Sequence, residues 1–531
     1  MDHLTIKPAR KLFEDNRALG FLILVFGVLL SYFPALHNGF VWDDSSILLK
    51  NPAVTMPGNW ASIWIHGETP DYFPLTFSIL KIEWMLWGAW APGFHGLNIA
   101  LHLVGSLLLW RLLLELKIPG AWCAAALFAL HPINVASVAW VSEIKNTLSL
   151  PLALGASLVF FSSCKANQRT KYDLTALALY SAALLSKTSL VTLPCVWAVL
   201  LWWRGEFQGV KSLRRIIPFL TASLAAGLLT LWFQTHHVIH HVFAAISPGL
   251  IPEIIRAFWA VGFYLHQLVW PASLSMLYDS SHPEHGLSVS WISLTLALLV
   301  TAVAIIWKRP PWSRGWLTAF SSFLILLLPV LGFLPMYYLR FSPVADQWLY
   351  VPAIPLFALT GAVTEGRLDL WRKGLFLLLL LCFGFMTWQR CGDLHDSESL
   401  WNSILLKNPA SFSALQNLAI VYEERGEGVK ALDFAGRAVI AHPDELEPIL
   451  NFVAIQCNTG NPEEALKMTE TALNRWRESP DLWALRGDIL LNLSRPSDAI
   501  SSYQQALSLN PHLVRAIVGL RKATSLPSQI P

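Results

Sequence analysis

Charge is scarce in this chain. Asp, Glu, Lys and Arg make up 14% of its residues, against roughly a quarter in a soluble globular domain. That shortage excludes an ordinary water-soluble fold for most of the length. The net charge of +3 is small, and basic residues sit in clusters between apolar runs, so there is no nucleic-acid footprint. Cysteine is sparse too: Cys123, Cys164, Cys195 and Cys382 fall in apolar runs and read as buried thiols. Cys391 and Cys457 are too few for a disulfide framework. The first apolar run, Leu19 to Leu36, lacks a small-residue cleavage site and reads as a transmembrane helix, not a cleaved signal.

What the chain has in abundance is apolar sequence: 54% of residues are hydrophobic. Runs near 20 residues, enough to cross ~30 Å of hydrocarbon, recur through the first 390 positions. Spanning helices are expected near 17–36, 94–115, 119–139, 147–164, 172–187, 188–203, 216–235, 288–307, 316–337, 346–364 and 372–391. The run 254–274 suits either a span or a helix lying in the interface. Lys7, Arg10, Lys11 and Arg17 put the first end in the cytoplasm. Lys165/Arg169/Lys171, Arg204/Lys211/Arg214/Arg215, Lys308/Arg309/Arg314 and Arg367/Arg372/Lys373 all join that side only if 254–274 does not cross. Eleven spans follow, with the C-terminal segment on the extracytoplasmic side.

Two long loops, 37–93 and 236–287, then face outward. The first carries a Trp-rich amphipathic stretch, Phe73 to Trp90, suited to a headgroup interface. Loops of this length usually carry function.

The last 140 residues have a 34-residue period. Ala431, Ala465 and Ala499 recur at it, as do Ala438, Ala472 and Ala506. This is the period of the tetratricopeptide (TPR) helix–turn–helix, whose small residues sit where helices touch. The reading is therefore all-α: a polytopic membrane helix bundle over 1–391, a docking or partial TPR helix over 392–411, and a TPR α-solenoid over 412–531. Its repeats fall at 412–445, 446–479 and 480–513. Such an array is a surface for a protein partner.

Several polar residues stand in apolar surroundings. Asp43 and Asp44 follow the first helix. One could be a general base beside an orienting or cation-binding group; equally, they could form a solvated helix end with an N-cap. Glu83 follows Lys81, Glu143 and Lys145 follow His131-Pro132, Lys187 joins two runs, and Arg340 and Asp346 bracket a helix end. Cations on the outer side oppose the positive-inside trend. They would neutralise an anion, a phosphate being the natural candidate, or pair internally, Glu143 with Lys145 or Arg340 with Asp346. His236, His237, His240 and His241 have an i, i+4 spacing that suits zinc or copper, so a divalent metal stays an option, although no acidic or Cys ligand accompanies them.

Family resemblance enters through motifs that keep their order along nearly the whole chain. They are Trp42-Asp43-Asp44 with Ile47 and Asn51; Pro74-Leu75-Thr76; Gly93-Phe94-His95 with Asn98 and His102; and His131-Pro132 with Val138 to Glu143. Ser186-Lys187 with Val191 to Pro194, and Ala345 to Pro352, complete the set. The chain resembles the transmembrane-and-TPR O-mannosyltransferase-like (TMTC-like) proteins and their bacterial relatives. The resemblance implies a GT-C glycosyltransferase fold, a polyprenyl-phosphate-linked sugar donor and a protein hydroxyl acceptor. It implies that Asp43 or Asp44 takes the acceptor's proton in an inverting displacement. Lys187, Arg340 and Lys145 would stabilise the departing lipid phosphate. Asp346 would hold Arg340 or contact the sugar, Glu143 would join the substrate-binding set, and His95 and His131 would bond donor oxygens. The TPRs would present the acceptor.

The chain departs from the family pattern at Ala136, Ile144, Asn146 and Phe73, where acidic, basic, acidic and Arg residues respectively are common. A site altered in donor specificity, or silent, is one consequence. A non-catalytic membrane scaffold whose TPRs recruit an envelope or secretory partner is the alternative from another class. A transporter would show matched broken helices, and no such symmetry is visible. The expected location is a bacterial plasma membrane with TPRs periplasmic, or an endoplasmic reticulum membrane with TPRs lumenal.

Overall fold

The structure, a computed structural model, describes residues 16–67, 69–162, 169–238, 250–279, 289–308, 313–334, 336–365 and 370–525. The described residues form helices and turns and divide into two compact units between Leu400 and Trp401. The division falls inside a helix, nine residues beyond the end of the expected membrane domain at 391.

The first unit contains α1 (Arg17–Ser31), α2 (Pro52–Thr55), α3 (Pro74–Trp87), α4 (Ala91–Glu115), α5 (Ala121–Leu130), α6 (Val135–Val138), α7 (Ile144–Ser162) and α8 (Arg169–Ser186). It continues through α9 (Leu193–Trp203), α10 (Val210–Phe233), α11 (Leu250–Val269), α12 (Val289–Lys308), α13 (Ser313–Leu327), α14 (Ile354–Glu365) and α15 (Leu370–Cys391). Among the described residues, five helices are long and apolar enough to cross a membrane, or six if α5 and the segment Pro132–Val138, bent by 50°, form one span. Each of the eleven expected runs contains helix among the described residues, but in several the α-helix is shorter than the apolar sequence. The run 188–203 starts as a 3-10 turn, Thr188–Thr192, before Pro194 opens α9. The run 346–364 also begins in a 3-10 turn, Asp346–Leu349, and is α-helical only from Ile354. The run 316–337 leaves the α-helix at Leu327, just before Pro329, whose ring removes a donor. Two of these 3-10 segments carry Ser189, Asp346 and Gln347, which recur in the candidate site.

α11, the run with two readings, is buried on every face from Trp259 to Tyr264. Its Trp259, Phe263 and Tyr264 pack with Phe323 of α13 and with Trp348 and Leu349. The loop 37–93 is also well packed: Ile47, Leu48, Phe77 and Leu80 bury against Phe94, Val141 and Ile144. Of the thiols expected to be buried, Cys123 is; Cys195 and Cys382 instead lie on exposed helix faces. Cys164 lies outside the described residues.

α16 (Ser397–Lys407) covers the expected docking helix and spans the division. The second unit pairs α17 (Phe412–Glu424) with α18 (Gly428–Ala441), α19 (Leu446–Asn458) with α20 (Pro462–Arg475), and α21 (Pro480–Asn492) with α22 (Pro496–Leu509). A further helix, α23 (Val514–Ser525), covers the last pair. The period is explained by packing: Ala431, Ala465, Ala499 and Ala506 are all buried where helices meet. Tyr503 is fully buried, and a Cβ on Gly519 would lie 2.3 Å from its Cζ. Gly519→Ala should therefore destabilise this unit by about 1–3 kcal/mol through overpacking, seen as a lower unfolding midpoint for the full chain.

Candidate active site

The paired aspartates divide their roles at Trp42. Its φ is 48°, a left-handed conformation that costs a non-glycine residue roughly 1–3 kcal/mol. Stacking on Trp140, ring centroids 5.2 Å apart and 9° from parallel, holds it there. Beyond this turn Asp44 is fully buried. Its Oδ2 accepts from Val41 N at 2.9 Å, and its Oδ1 accepts from Ser142 N at 2.8 Å and from Ser142 Oγ. Asp44 thus staples the loop that follows α1 to the segment 141–143. Burial pushes its carboxyl up to about 7, although those three bonds oppose the rise.

Asp43 points elsewhere. It is half-buried, and its electrostatic neighbours are Lys145, Asp71 and Glu143. Burial pushes its carboxyl up to about 6; Lys145 opposes the rise, and Asp71 and Glu143 add to it. Asp71, from the same loop, is likewise raised, first by burial, and bonds Gln234, just beyond the C-terminal end of α10. Asp71 does not stand out in the sequence, because these neighbours come from 72 (Glu143) to 163 (Gln234) positions away.

Beside these carboxylates sits an ion cluster. Glu143 lies 3.0 Å from Lys145 and 3.4 Å from Lys187. Asn146 joins them: its Oδ1 accepts from Lys187 Nζ at 2.5 Å, and its Nδ2 donates to Glu143 Oε2 at 2.6 Å. The same amide reaches Ser137 Oγ at 3.0 Å and the Gln347 carbonyl at 3.2 Å. The corner is held by Asn98, which donates to the Trp140 carbonyl at 3.2 Å and accepts from Thr147 at 2.8 Å.

Asn146, Lys187, Ser189 and Gln347 line a small cavity that also touches Leu326 and Val351. Those two residues are shared with a larger cavity of about 170 Å³, lined almost wholly by apolar side chains of α4, α7, α9, α13 and α14, among them Leu109, Leu113, Trp197 and Ala358. The arrangement places a carboxylate between two ammonium groups, one of which, Lys187, lines a small cavity next to the apolar one.

The other expected site residues are used differently. Asp346 is buried and pairs with Arg390 Nη2 at 2.6 Å, while accepting from Tyr278 Oη at 2.7 Å. Arg390, at the end of α15, thus supplies a guanidinium that the sequence reading had sought in Arg340. The Arg340 backbone closes a 3-10 turn, Tyr337–Arg340, and its side chain lies outside what is described. His131 is buried with both ring nitrogens engaged: Nδ1 accepts from Ile133 N at 3.1 Å, and Nε2 meets the Leu268 carbonyl at 3.1 Å. It belongs to the scaffold and is not available to a donor sugar. His95 Nε2 lies 3.3 Å from the Gly39 carbonyl, and its buried Nδ1 has no partner. Lys81 donates to the carbonyls of Ala53 and Met56, so it pairs with backbone and not with Glu83.

Of the histidine cluster, His236 is exposed and stacks on Trp232. His240, His241 and the side chain of His237 lie outside the described residues. Among the described residues, no group of three His, Cys, Asp or Glu is placed to hold a metal. The departures named in the sequence are all internal: Ala136 and Ile144 are buried, Phe73 packs at the edge of the loop core, and Asn146 is the hub of the ion cluster.

A Protein O-mannosyl-transferase of Caenorhabditis elegans is 23% identical over 444 residues, covering 78% of this chain and 62% of its own length. Human Protein O-mannosyl-transferase TMTC3 is 23% identical over 571 residues, covering 94% of this chain and 61% of its own. The Tetratricopeptide repeat family model matches residues 458–513. The chain is TMTC-like. It spans less than two thirds of the length of these curated relatives. The crystal structure of yeast Tom70 is 13% identical, with 81% of this chain and 96% of that chain covered at a TM-score of 0.22. In this TMTC-like chain, the Trp42-Asp43-Asp44 and Glu143–Lys187 motifs are brought to one corner of the membrane unit.

Proposed function

We propose that the chain is a membrane glycosyltransferase that moves a sugar from a polyprenyl-phosphate carrier to a protein hydroxyl on the extracytoplasmic side. The observation that carries this reading is the Lys145–Glu143–Lys187 cluster beside Asp43, with Lys187 on a small cavity that shares the wall residues Leu326 and Val351 with a larger apolar one. A polyprenyl phosphate has the matching anatomy of an anionic head on a long hydrocarbon chain. The names of the relatives point to mannose as the sugar and protein as the acceptor.

The reaction is a single displacement. The acceptor hydroxyl oxygen bonds to the anomeric carbon as the bond from that carbon to the phosphate oxygen breaks. The hydroxyl proton passes to Asp43, and the lipid phosphate leaves with the bonding pair. Lys145 and Lys187 stabilise the charge that develops on it, the kind of preorganised contribution that often dominates catalysis. The TPR unit holds the acceptor polypeptide.

Asp43 must be ionised to accept a proton. With its carboxyl raised to about 6, kcat/KM should be level above neutrality and fall about tenfold per unit below pH 6. Transfer from a polyprenyl-phosphate hexose to a co-purified acceptor, followed against pH, checks this. A flat profile down to pH 4 contradicts the base assignment.

A further inference from the structure

A second group of polar side chains gathers where α1 and α15 end. α1 runs into a 3-10 turn, Phe33–His37, and α15 into another, Gly392–Leu394. Between them lies an open groove of about 530 Å³, within the roughly 300–1,000 Å³ that small-molecule sites occupy. Its walls are tied together. Asn38 Nδ2 donates to the Cys391 carbonyl at 2.9 Å, and Gly39 N donates to the His395 carbonyl at 2.8 Å. Leu30 of α1 and Phe385 of α15, about one turn before the groove, are 72% and 59% exposed. The groove therefore sits where the apolar surface of two helices gives out.

The lining decides the chemistry. Phe33 and Trp388 present exposed rings, and His37, His395 and Ser399 stand around them. Among the described residues, none of these three polar side chains makes a hydrogen bond within the chain. The His37 ring meets Phe33 at 5.1 Å between centroids, and Ser399 uses only its backbone N–H, toward Asp396. No carboxylate, ammonium or guanidinium lines the groove among the described residues. A phosphate would find no counter-charge here, and neither would an ammonium. A plain hydrocarbon chain would cover the imidazoles and hydroxyl without pairing them. Aromatic rings at a bilayer edge are common anchors; that accounts for Phe33 and Trp388 but not for the polar side chains beside them. The ligand that fits is uncharged, rich in hydroxyls and has one apolar C–H face. A pyranose ring has this anatomy: its C–H bonds suit the negative face of an aromatic ring, and its hydroxyls suit imidazole and hydroxyl partners.

We propose that this groove binds a neutral hexopyranosyl unit, stacked on Trp388 and hydrogen-bonded by His37, His395 and Ser399. Such a unit reaches it either as the headgroup of a glycolipid or as a free sugar. The groove shares no residue with the Asp43–Lys187 corner, so the proposal goes beyond sugar transfer and does not depend on it.

The test uses the full chain in nanodiscs holding equal amounts of a monohexosyl-diacylglycerol, the matching diacylglycerol and a phosphatidylglycerol. Native mass spectrometry reads which lipid the released protein retains, and saturation-transfer NMR with a methyl hexopyranoside reads binding of the free sugar. Wild type should retain the hexosyl lipid roughly tenfold over either of the others. Trp388→Ala should erase that preference, and His395→Ala should cut it by roughly threefold, as for one lost hydrogen bond. Both side chains are exposed, so the unfolding midpoint should not move in either variant. A free-sugar signal that disappears in Trp388→Ala, without enrichment of the hexosyl lipid, supports the site and makes its ligand soluble. Equal retention of all three lipids with no free-sugar signal, or preferred retention of phosphatidylglycerol, overturns the proposal. So does a preference for the hexosyl lipid that survives both substitutions. Each of these failures leaves the donor reading untouched, because Trp388 and His395 lie outside the transfer cluster.

Discussion

Asp43→Asn should reduce sugar transfer by about 10²–10⁴-fold while leaving the unfolding midpoint where it is. Asp43 is half-buried, and its acidity is set by Lys145, Asp71 and Glu143 as well as by burial, so an amide there removes a base without breaking a staple. Asp44→Asn should behave in the opposite way. Its two oxygens accept from Val41 N, Ser142 N and Ser142 Oγ. An amide would turn at least one donor toward another, at a cost of about 1–3 kcal/mol for the bond broken and the group left buried. Activity per folded molecule should therefore fall far less for Asp44→Asn than for Asp43→Asn. Equal losses in both, with equal midpoints, would show that the turn at Trp42 does not separate them.

The second large effect is expected at Arg390, far from the carboxylate cluster in sequence. Arg390→Met leaves Asp346 buried without its guanidinium, and breaking a buried pair from one side typically costs about 3–5 kcal/mol. Tyr278 still donates to Asp346 and softens the loss. The loss should appear as a sharp drop in the unfolding midpoint in detergent. Adding Asp346→Leu to the same chain should recover part of it, because the orphaned charge is gone. Loss of transfer should follow, because the Gln347 carbonyl that steadies Asn146 belongs to the segment Asp346 begins.

Different parts of this architecture were legible in the sequence to different degrees, for physical reasons. The TPR unit could be read from Ala431, Ala465 and Ala499, because a 34-residue period directly reports helices that touch through small side chains. The last helix, α23, could not be read this way: it caps a repeat instead of repeating it. In the membrane unit, apolar runs located the helices but not their lengths, since the 3-10 segments at Thr188–Thr192 and Asp346–Leu349 keep enough apolar residues to extend the runs they open.

At the site, Glu143, Lys145 and Lys187 were visible as charges out of place, and pairing between Glu143 and Lys145 was one of the readings. Asp71 and Arg390 were not visible. Asp71 is one charge in a long loop, and Arg390 lies at the end of an apolar run. Only the three-dimensional return of the chain puts the first near Lys145 and the second on Asp346. Asn146 looked like a departure from a pattern, and it turned out to link four segments.

The most direct test of the central claim is the intact mass of candidate acceptor proteins from cells that carry the wild-type chain, the Asp43→Asn chain or neither. A hexose-sized increment present with wild type, and absent from the other two, is the predicted result. Acceptors of equal mass in all three, or an increment that survives Asp43→Asn undiminished, would contradict transfer at this corner of the fold.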